Sequence, residues 1–221
     1  MKAGNVCYNC ENDLPEKIAL FPLEGALLLP GGILSLNIFE QTILEMIEDA
    51  MVSNRLLGII QPLSSSVEDD LPIQLHKIGC IGRITAYSEI GSGRLLIVLQ
   101  GVCRFTVKQE LTRTKSYRIA VIQSNIEDLQ EHNISENINR ENLLNVIEDY
   151  LSIHDVEHNW NSILQTPTHV LVNTLSALIP FTPAEKQALL EAPDTASRAQ
   201  TLLALTERSL MKQTGAHYRL N

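Results

Sequence analysis

In the first half of the chain the apolar residues come in short, interrupted runs. IALFPLEGALLLPGGILSL, from Ile18 to Leu36, is broken by Pro22, Gly25, Pro30, Gly31 and Gly32, and such breaks divide it into short strands joined by turns. From Ile38 the period changes. Ile43, Met46, Ile47, Ala50 and Met51 recur at spacings of three and four, which predicts one amphipathic helix with Asn37 and Glu40 at its cap. Arg55 to Ile60 reads as a buried strand. The stretch 61–76, QPLSSSVEDDLPIQLH, mixes prolines, serines and three consecutive acids, and is expected to be a mobile loop because that composition cannot bury itself.

Two longer β-branched and aliphatic runs follow, HKIGCIGRITAYSEI from His76 and RLLIVLQGVCRFTVKQEL from Arg94, linked through Gly91-Ser92-Gly93. Glycines there supply the positive φ of a hairpin turn, so the runs are predicted to pair antiparallel. A last strand is expected near Tyr117 to Gln123. Six or seven strands with one early helix favour a closed or nearly closed barrel, which leaves no exposed edges. Beyond Ile126 the period is helical, with Leu143, Ile147, Tyr150 and Leu151, then Val170 to Leu178, Pro183 to Leu190, and Ala199 to Leu210. These segments are predicted to pack as a bundle of four helices. Thr182-Pro183-Ala184-Glu185 has the form of a capping box with proline at the first helical position, and Thr195 is placed as the cap of the last helix. The expected organisation is α+β, with an N-terminal extension at 1–17, a β-barrel at 18–124, a hinge at 125–140 and a helical bundle at 141–221.

Charge narrows the function classes. The net charge of −9 opposes binding to a phosphate backbone, which depends on Lys and Arg displacing counterions. Residues 1–125 carry 11 basic and 13 acidic side chains, residues 126–221 carry 6 and 13, so most of the acidity lies in the helical half. The aromatic fraction is 5%, and the core must be aliphatic. No 18-residue apolar run occurs, and MKAGNVCYNCENDLPEK lacks the basic start and apolar core of a signal peptide. A cytoplasmic protein with reduced thiols is expected, no membrane contact being implied.

Three segments carry a resemblance to a known family. LFPLEGALLLPGGILSLNIFE, from Leu20 to Glu40, resembles the opening of the substrate-binding N-terminal domain of Lon-type ATP-dependent proteases. IGCIGRITAYSEIGSGRLLIVLQGVCRF, from Ile78 to Phe105, resembles that family's Gly-x-x-Gly-x-Ile strand, its glycine-containing hairpin and its apolar run ending in Gly-x-x-Arg-Phe. The helical segment Pro180 to Leu210 is similar to the family's distal bundle, so the likeness covers about Ile18 to Leu210. The resemblance implies a PUA-like β-barrel followed by a helical bundle, and recognition of unfolded or damaged polypeptides for degradation. It implies no cofactor. No G-x-x-x-x-G-K-[ST] phosphate loop is present, so ATP chemistry is not expected of these residues. The expectation is a non-catalytic polypeptide-binding protein, an adaptor or regulator in protein quality control whose partners are such polypeptides or a protease or ATPase. The groove between barrel and bundle, near loop 61–76, is expected to receive apolar segments.

Three other patterns bear on chemistry. His154, Glu157 and His158 fit H-x-x-E-H, which sets two imidazoles one helical turn apart beside a possible base. Glu185, Glu191 and Glu207 lie downstream, but the surrounding helix is polar, so a solvated face accounts for these residues and no zinc is predicted. Cys7 and Cys10 have the spacing of half a zinc site. The other half would need Cys80 and Cys103, which read more simply as buried strand residues. Arg104, Lys108, Arg113, Lys115 and Arg118, beside Phe105 and Tyr117, form the basic stripe that an RNA-binding module would use. The alternative is that alternate strand positions point these charges into water.

Overall fold

The structure, a computed structural model, describes residues 1–63, 73–91, 93–112, 114–130, 138–153 and 160–217, with side chains to 211. The described residues form two compact units. One comprises Met1–Glu131 and Phe181–Leu190, the other His132–Pro180 and Glu191–Asn221.

The first unit is built on a six-stranded sheet: β3 (Lys17–Pro22), β4 (Ile33–Ile38), β5 (Leu56–Ile60), β6 (Ile78–Glu89), β7 (Leu95–Glu110) and β8 (Arg118–Ser124), preceded by a ribbon of β1 (Lys2–Ala3) and β2 (Val6–Cys7). The sheet order is β4-β7-β6-β5-β3-β8, and β8 also pairs with β7. That last pairing closes a five-stranded ring and leaves β4 outside it, paired among the described strands with β7 alone. Closure works because β7 is long enough to serve two partners. Leu95–Gln100 pairs with β4, and Phe105–Glu110 with β8. Register shifts at Ile81/Gly82, Ile84/Ala86 and Val107/Gln109 bend the strands as bulges do. β3 and β5 run parallel, which requires a crossover, supplied here by β4 and the helix α1 (Gln41–Val52).

The hairpin of β6 and β7 forms as the pattern predicts, with Gly91 at φ 84° and Gly93 at φ 71°. On α1 the buried residues are Met46, Ile47 and Ala50, in agreement with the predicted face, but the N-cap residue is Glu40 with no side-chain cap bond, and Asn37 is still in β4. The segment 1–17 is no appendage. Ala3 and Tyr8 are buried in the barrel core with Leu20, Ile81 and Phe105, and the terminal amine donates to the carbonyls of Tyr8 and Leu129. Arg83, buried on β6, donates to Asn54 O at 2.8 Å and to Tyr8 Oη at 3.3 Å.

Phe105 organises that core. A Cβ on Gly79 would lie 2.5 Å from both the Phe105 ring and Ile59 O, and one on Gly58 would lie 3.1 Å from the ring. At Gly101 a Cβ would come within 2.1 Å of Leu29 O, because the 29–32 turn crosses the strand there, with Gly31 N donating to Gly101 O and Gly101 N to Gly32 O, each at 2.9 Å.

The second unit holds α2 (Arg140–Ile153), α3 (Trp160–Gln165), α4 (Thr168–Leu178) and α6 (Thr195–His217), with α2 and α4 both packed on α6. Arg140 donates to the carbonyls of Leu164 and Thr166, both at 2.8 Å, and to Thr168 Oγ1, which satisfies the end of α3. The cap of α6 is Asp194, whose Oδ1 accepts from Ser197 N at 2.7 Å. Thr195 is the first helical residue. Backbone donors hold the Asp194 carboxyl below its ordinary range.

The helix α5 (Pro183–Glu191) departs from the expected bundle and belongs to the barrel unit. Its capping box is present: Glu185 Oε2 accepts from Thr182 N at 2.9 Å. Polar side chains seat it. Gln61 Nε2 donates to Pro183 O and Gln187 Oε1, Gln187 Nε2 to Ile78 O, and Lys186 Nζ to Gly25 O at 2.8 Å. Buried polar groups must be paired, and these pair with the barrel.

Two outcomes follow from this packing. Truncating Phe105→Ala is expected to cost about 3–5 kcal/mol, and Gly79→Ala about 1–3 kcal/mol or more because one of its two clashes is with backbone. Urea unfolding followed by circular dichroism checks both.

Candidate polypeptide-binding surface

The described residues offer two features on the barrel unit that suit an extended or apolar ligand. One is an open depression of about 500 Å³ lined by Leu63, Ile73, Gln74, Leu75, Glu110, Leu111 and Arg118. Its floor and walls come from the two ends of the 61–76 segment and the end of β7. Pro62 bridges to Leu75, and Leu63 N donates to Gln74 O at 2.8 Å, so the chain ends beside residues 64–72 are held together. Residues 64–72 themselves lie outside the described residues. The rim is set by Arg118. Its Nε and Nη2 form a fork on the two oxygens of Glu110, and its Nη1 donates to Ile73 O at 2.6 Å. Such bidentate pairing holds both side chains in one plane. Leu63 and Ile73 are 53% and 44% exposed, leaving apolar surface in water where a ligand can cover it.

The other feature is the free edge of β4. Gly101 N donates to Gly32 O, and Ile33 pairs with Gln100. In an antiparallel ladder the bonds alternate, so Leu34, Leu36 and Ile38 direct their backbone groups to β7, and Ile33, Ser35 and Asn37 direct theirs outward. The side chains of those three residues are also exposed.

Several predicted features fall elsewhere. Of the basic stripe, Arg104 is buried and forks onto Asp128 at 2.7 and 2.9 Å, with its backbone N–H on the same carboxylate and Nη1 on Leu190 O. Arg118 is held by Glu110. Lys115 Nζ bonds Asp49, which also accepts from Tyr117 Oη at 2.6 Å, and these donors depress the Asp49 carboxyl. Lys108 is exposed, and Arg113 lies outside the described residues. Acidic partners on neighbouring elements therefore dismantle the stripe. Nothing between residues 126 and 130 in the sequence marks Asp128 as the partner of Arg104; only the fold brings it there.

Cys7 and Cys10 are exposed, whereas Cys80 and Cys103 are buried. Cys80 stands opposite Arg104, and Cys103 opposite Ile81, so the two thiols point to opposite faces of the sheet and cannot complete a site with Cys7 and Cys10. Cys10 Sγ instead donates to Asp13 Oδ2 at 3.6 Å. Among the described residues no group of three His, Cys, Asp or Glu side chains converges to hold a metal. His154, Glu157 and His158 lie outside the described residues. Glu185 is engaged by Thr182, Glu191 ends α5 and Glu207 lies on α6. No helix among the described residues is long and apolar enough to cross a membrane.

Burial pushes the Cys103 thiol up to about 12, so its thiolate is scarce at neutral pH, and the thiolate is the reactive form. The expected outcome with a disulfide-exchange reagent at pH 8 is that Cys7 and Cys10 react in the native protein, while Cys80 and Cys103 react only after denaturation. Breaking the buried pair with Asp128→Ala is expected to cost about 3–5 kcal/mol, because the buried Arg104 loses the carboxylate that accepts from its Nε, Nη2 and backbone N–H; urea melts check this.

Comparison with known proteins fits this architecture. The chain is 25% identical over 205 residues to Lon protease 2 of Myxococcus xanthus, and 27% identical over 217 residues to Lon protease of Dictyoglomus thermophilum. These matches cover 90% and 91% of the chain, but 24% and 26% of those proteins, so the chain spans about a quarter of the length of such relatives. A Lon N-terminal domain protein from Xanthomonas campestris superposes with a TM-score of 0.61 at 22% identity, covering 85% of this chain and 97% of that one. The N-terminal domain of Mycobacterium avium complex Lon protease superposes with 0.65 at 17% identity, covering 86% and 98%. Residues 17–208 match the model of the ATP-dependent protease La (LON) substrate-binding domain, and the chain belongs to that family.

Proposed function

We propose that this protein binds unfolded or damaged polypeptides without chemistry of its own, acting in the cytoplasm as an adaptor or regulator in protein quality control. Membership in a substrate-binding family supports polypeptide recognition. The observation that carries the reading is the apolar depression of Leu63, Ile73, Leu75 and Leu111, rimmed by the Arg118–Glu110 fork. It is concave, partly apolar and has convergent polar groups at one side, the general form of a binding site. Apolar side chains that native proteins bury become available on unfolding, and covering Leu63 and Ile73 with them removes apolar surface of both partners from water. The dismantling of the basic stripe, together with a net charge of −9, favours this reading over RNA recognition.

The test compares binding of a reduced, carboxymethylated globular protein with binding of its native form, by fluorescence anisotropy. Selective binding of the unfolded form is expected, weakened about tenfold or more by Leu111→Asp with Ile73→Asp, since a buried unpaired carboxylate is costly. Equal affinity for native and unfolded forms would refute the reading. A protease or ATPase partner would show as a complex in which the same depression stays open to the unfolded probe.

A further inference from the structure

We propose that the free edge of β4, Ile33–Ile38, takes up client polypeptide as an added β-strand; this deepens, and rests on, the reading of the chain as a polypeptide binder.

Three observations carry it. First, among the described residues β4 is bonded only to β7, so the outward N–H and C=O groups of Ile33, Ser35 and Asn37 form a ladder that no described strand pairs. Strand addition satisfies such a ladder through main-chain bonds that any sequence can make, as a binder of diverse unfolded clients requires. Second, the edge is not blunted. Natural edges are protected by lysine, proline, inward charge or bulges within the strand, and ILSLNI has no charged residue and no proline. Ile33 and Phe39, each 68% exposed, flank it with apolar surface. Third, its length and charge select the occupant. Six residues extend only about 20 Å, and one added strand on that edge buries less than the roughly 1,200 Å² that a stable dimer needs. The edge is thus too small to hold a second copy and sufficient for one extended peptide. Because the strip is uncharged, the segments it suits are uncharged and alternate apolar with small polar residues, the pattern of a half-buried strand freed from an unfolded protein.

The geometry also supplies a variant that separates edge pairing from folding. Ser35 N–H points away from β7, so Ser35→Pro removes an outward donor and no ladder bond, and proline is tolerated at that kind of edge position. The probe is a ten-residue peptide in which valine and threonine alternate between terminal lysines, alongside the same peptide N-methylated at alternate backbone nitrogens. Binding of each to the unmodified protein, and of the parent peptide to Ser35→Pro and Ser35→Ala, is measured by anisotropy, with the reduced, carboxymethylated protein as a second ligand. Expected are binding of the parent peptide, retention in Ser35→Ala, and a loss of about tenfold or more both in Ser35→Pro and on N-methylation, as the loss of one or two hydrogen bonds and the added clash imply. Should N-methylation leave affinity for the unmodified protein unchanged, strand addition is overturned even if Ser35→Pro fails to fold. Unfolded protein that still binds while neither change matters leaves polypeptide recognition standing and removes the β4 edge from it. If neither the peptide nor the unfolded protein binds, both readings fall together.

Discussion

The ring of Phe105 lies against two strands that have no side chain there to receive it but glycine. Gly58 on β5 and Gly79 on β6 leave the space that the ring fills, and this close approach draws β5, β6 and the second half of β7 around one centre. The register shifts at Ile81/Gly82 and Val107/Gln109 lie on either side of Phe105, where β7 passes from its pairing with β4 to its pairing with β8. The neighbouring residue, Arg104, extends the constraint outward. Its guanidinium ties Asp128 and Leu190 O to β7, so the chain leaving the barrel and the helix returning to it are fastened at the strand that closes it.

Closure has a consequence for function. The ring closes through the pairing of β8 with the second half of β7, and β4 pairs with the first half, before the bend. Among the described strands β4 therefore stands outside the ring, with one backbone edge that no strand pairs. The depression at Leu63, Ile73, Leu75 and Leu111 lies by the second half of β7, where β8 meets it, and Arg118, a β8 residue, sets its rim. Both candidate surfaces are thus products of how one long strand is shared.

The charges show the same dependence on three-dimensional pairing. Read along the chain, Arg104, Lys115 and Arg118 form a basic group, but Asp128, Asp49 and Glu110 neutralise them from the segment after β8, from α1 and from the end of β7. Cysteines behave likewise. A one-residue offset in the β6–β7 register places Cys80 and Cys103 on opposite faces of the sheet, which no spacing rule on the chain reveals.

Local chemistry by itself determined the elements: the period of Ile43 to Met51 made a helix, Gly91 and Gly93 made the hairpin, Thr182 to Glu185 made a capping box, and the glycines of Gly79-x-x-Gly82 and Gly101-x-x-Arg104-Phe105 marked the family. Each depends on residues a few positions apart, whose conformational preferences act within one turn or strand. Only the tertiary structure decided that residues 1–17 enter the barrel core, that α5 joins the barrel and not the other helices, and that β4 is left at an edge. Those outcomes depend on contacts between residues far apart in the chain, such as Met1 with Leu129, Gln61 with Gln187 and Gly101 with the 29–32 turn. Hydrogen-bond satisfaction and steric fit across such distances leave no periodic trace in the sequence.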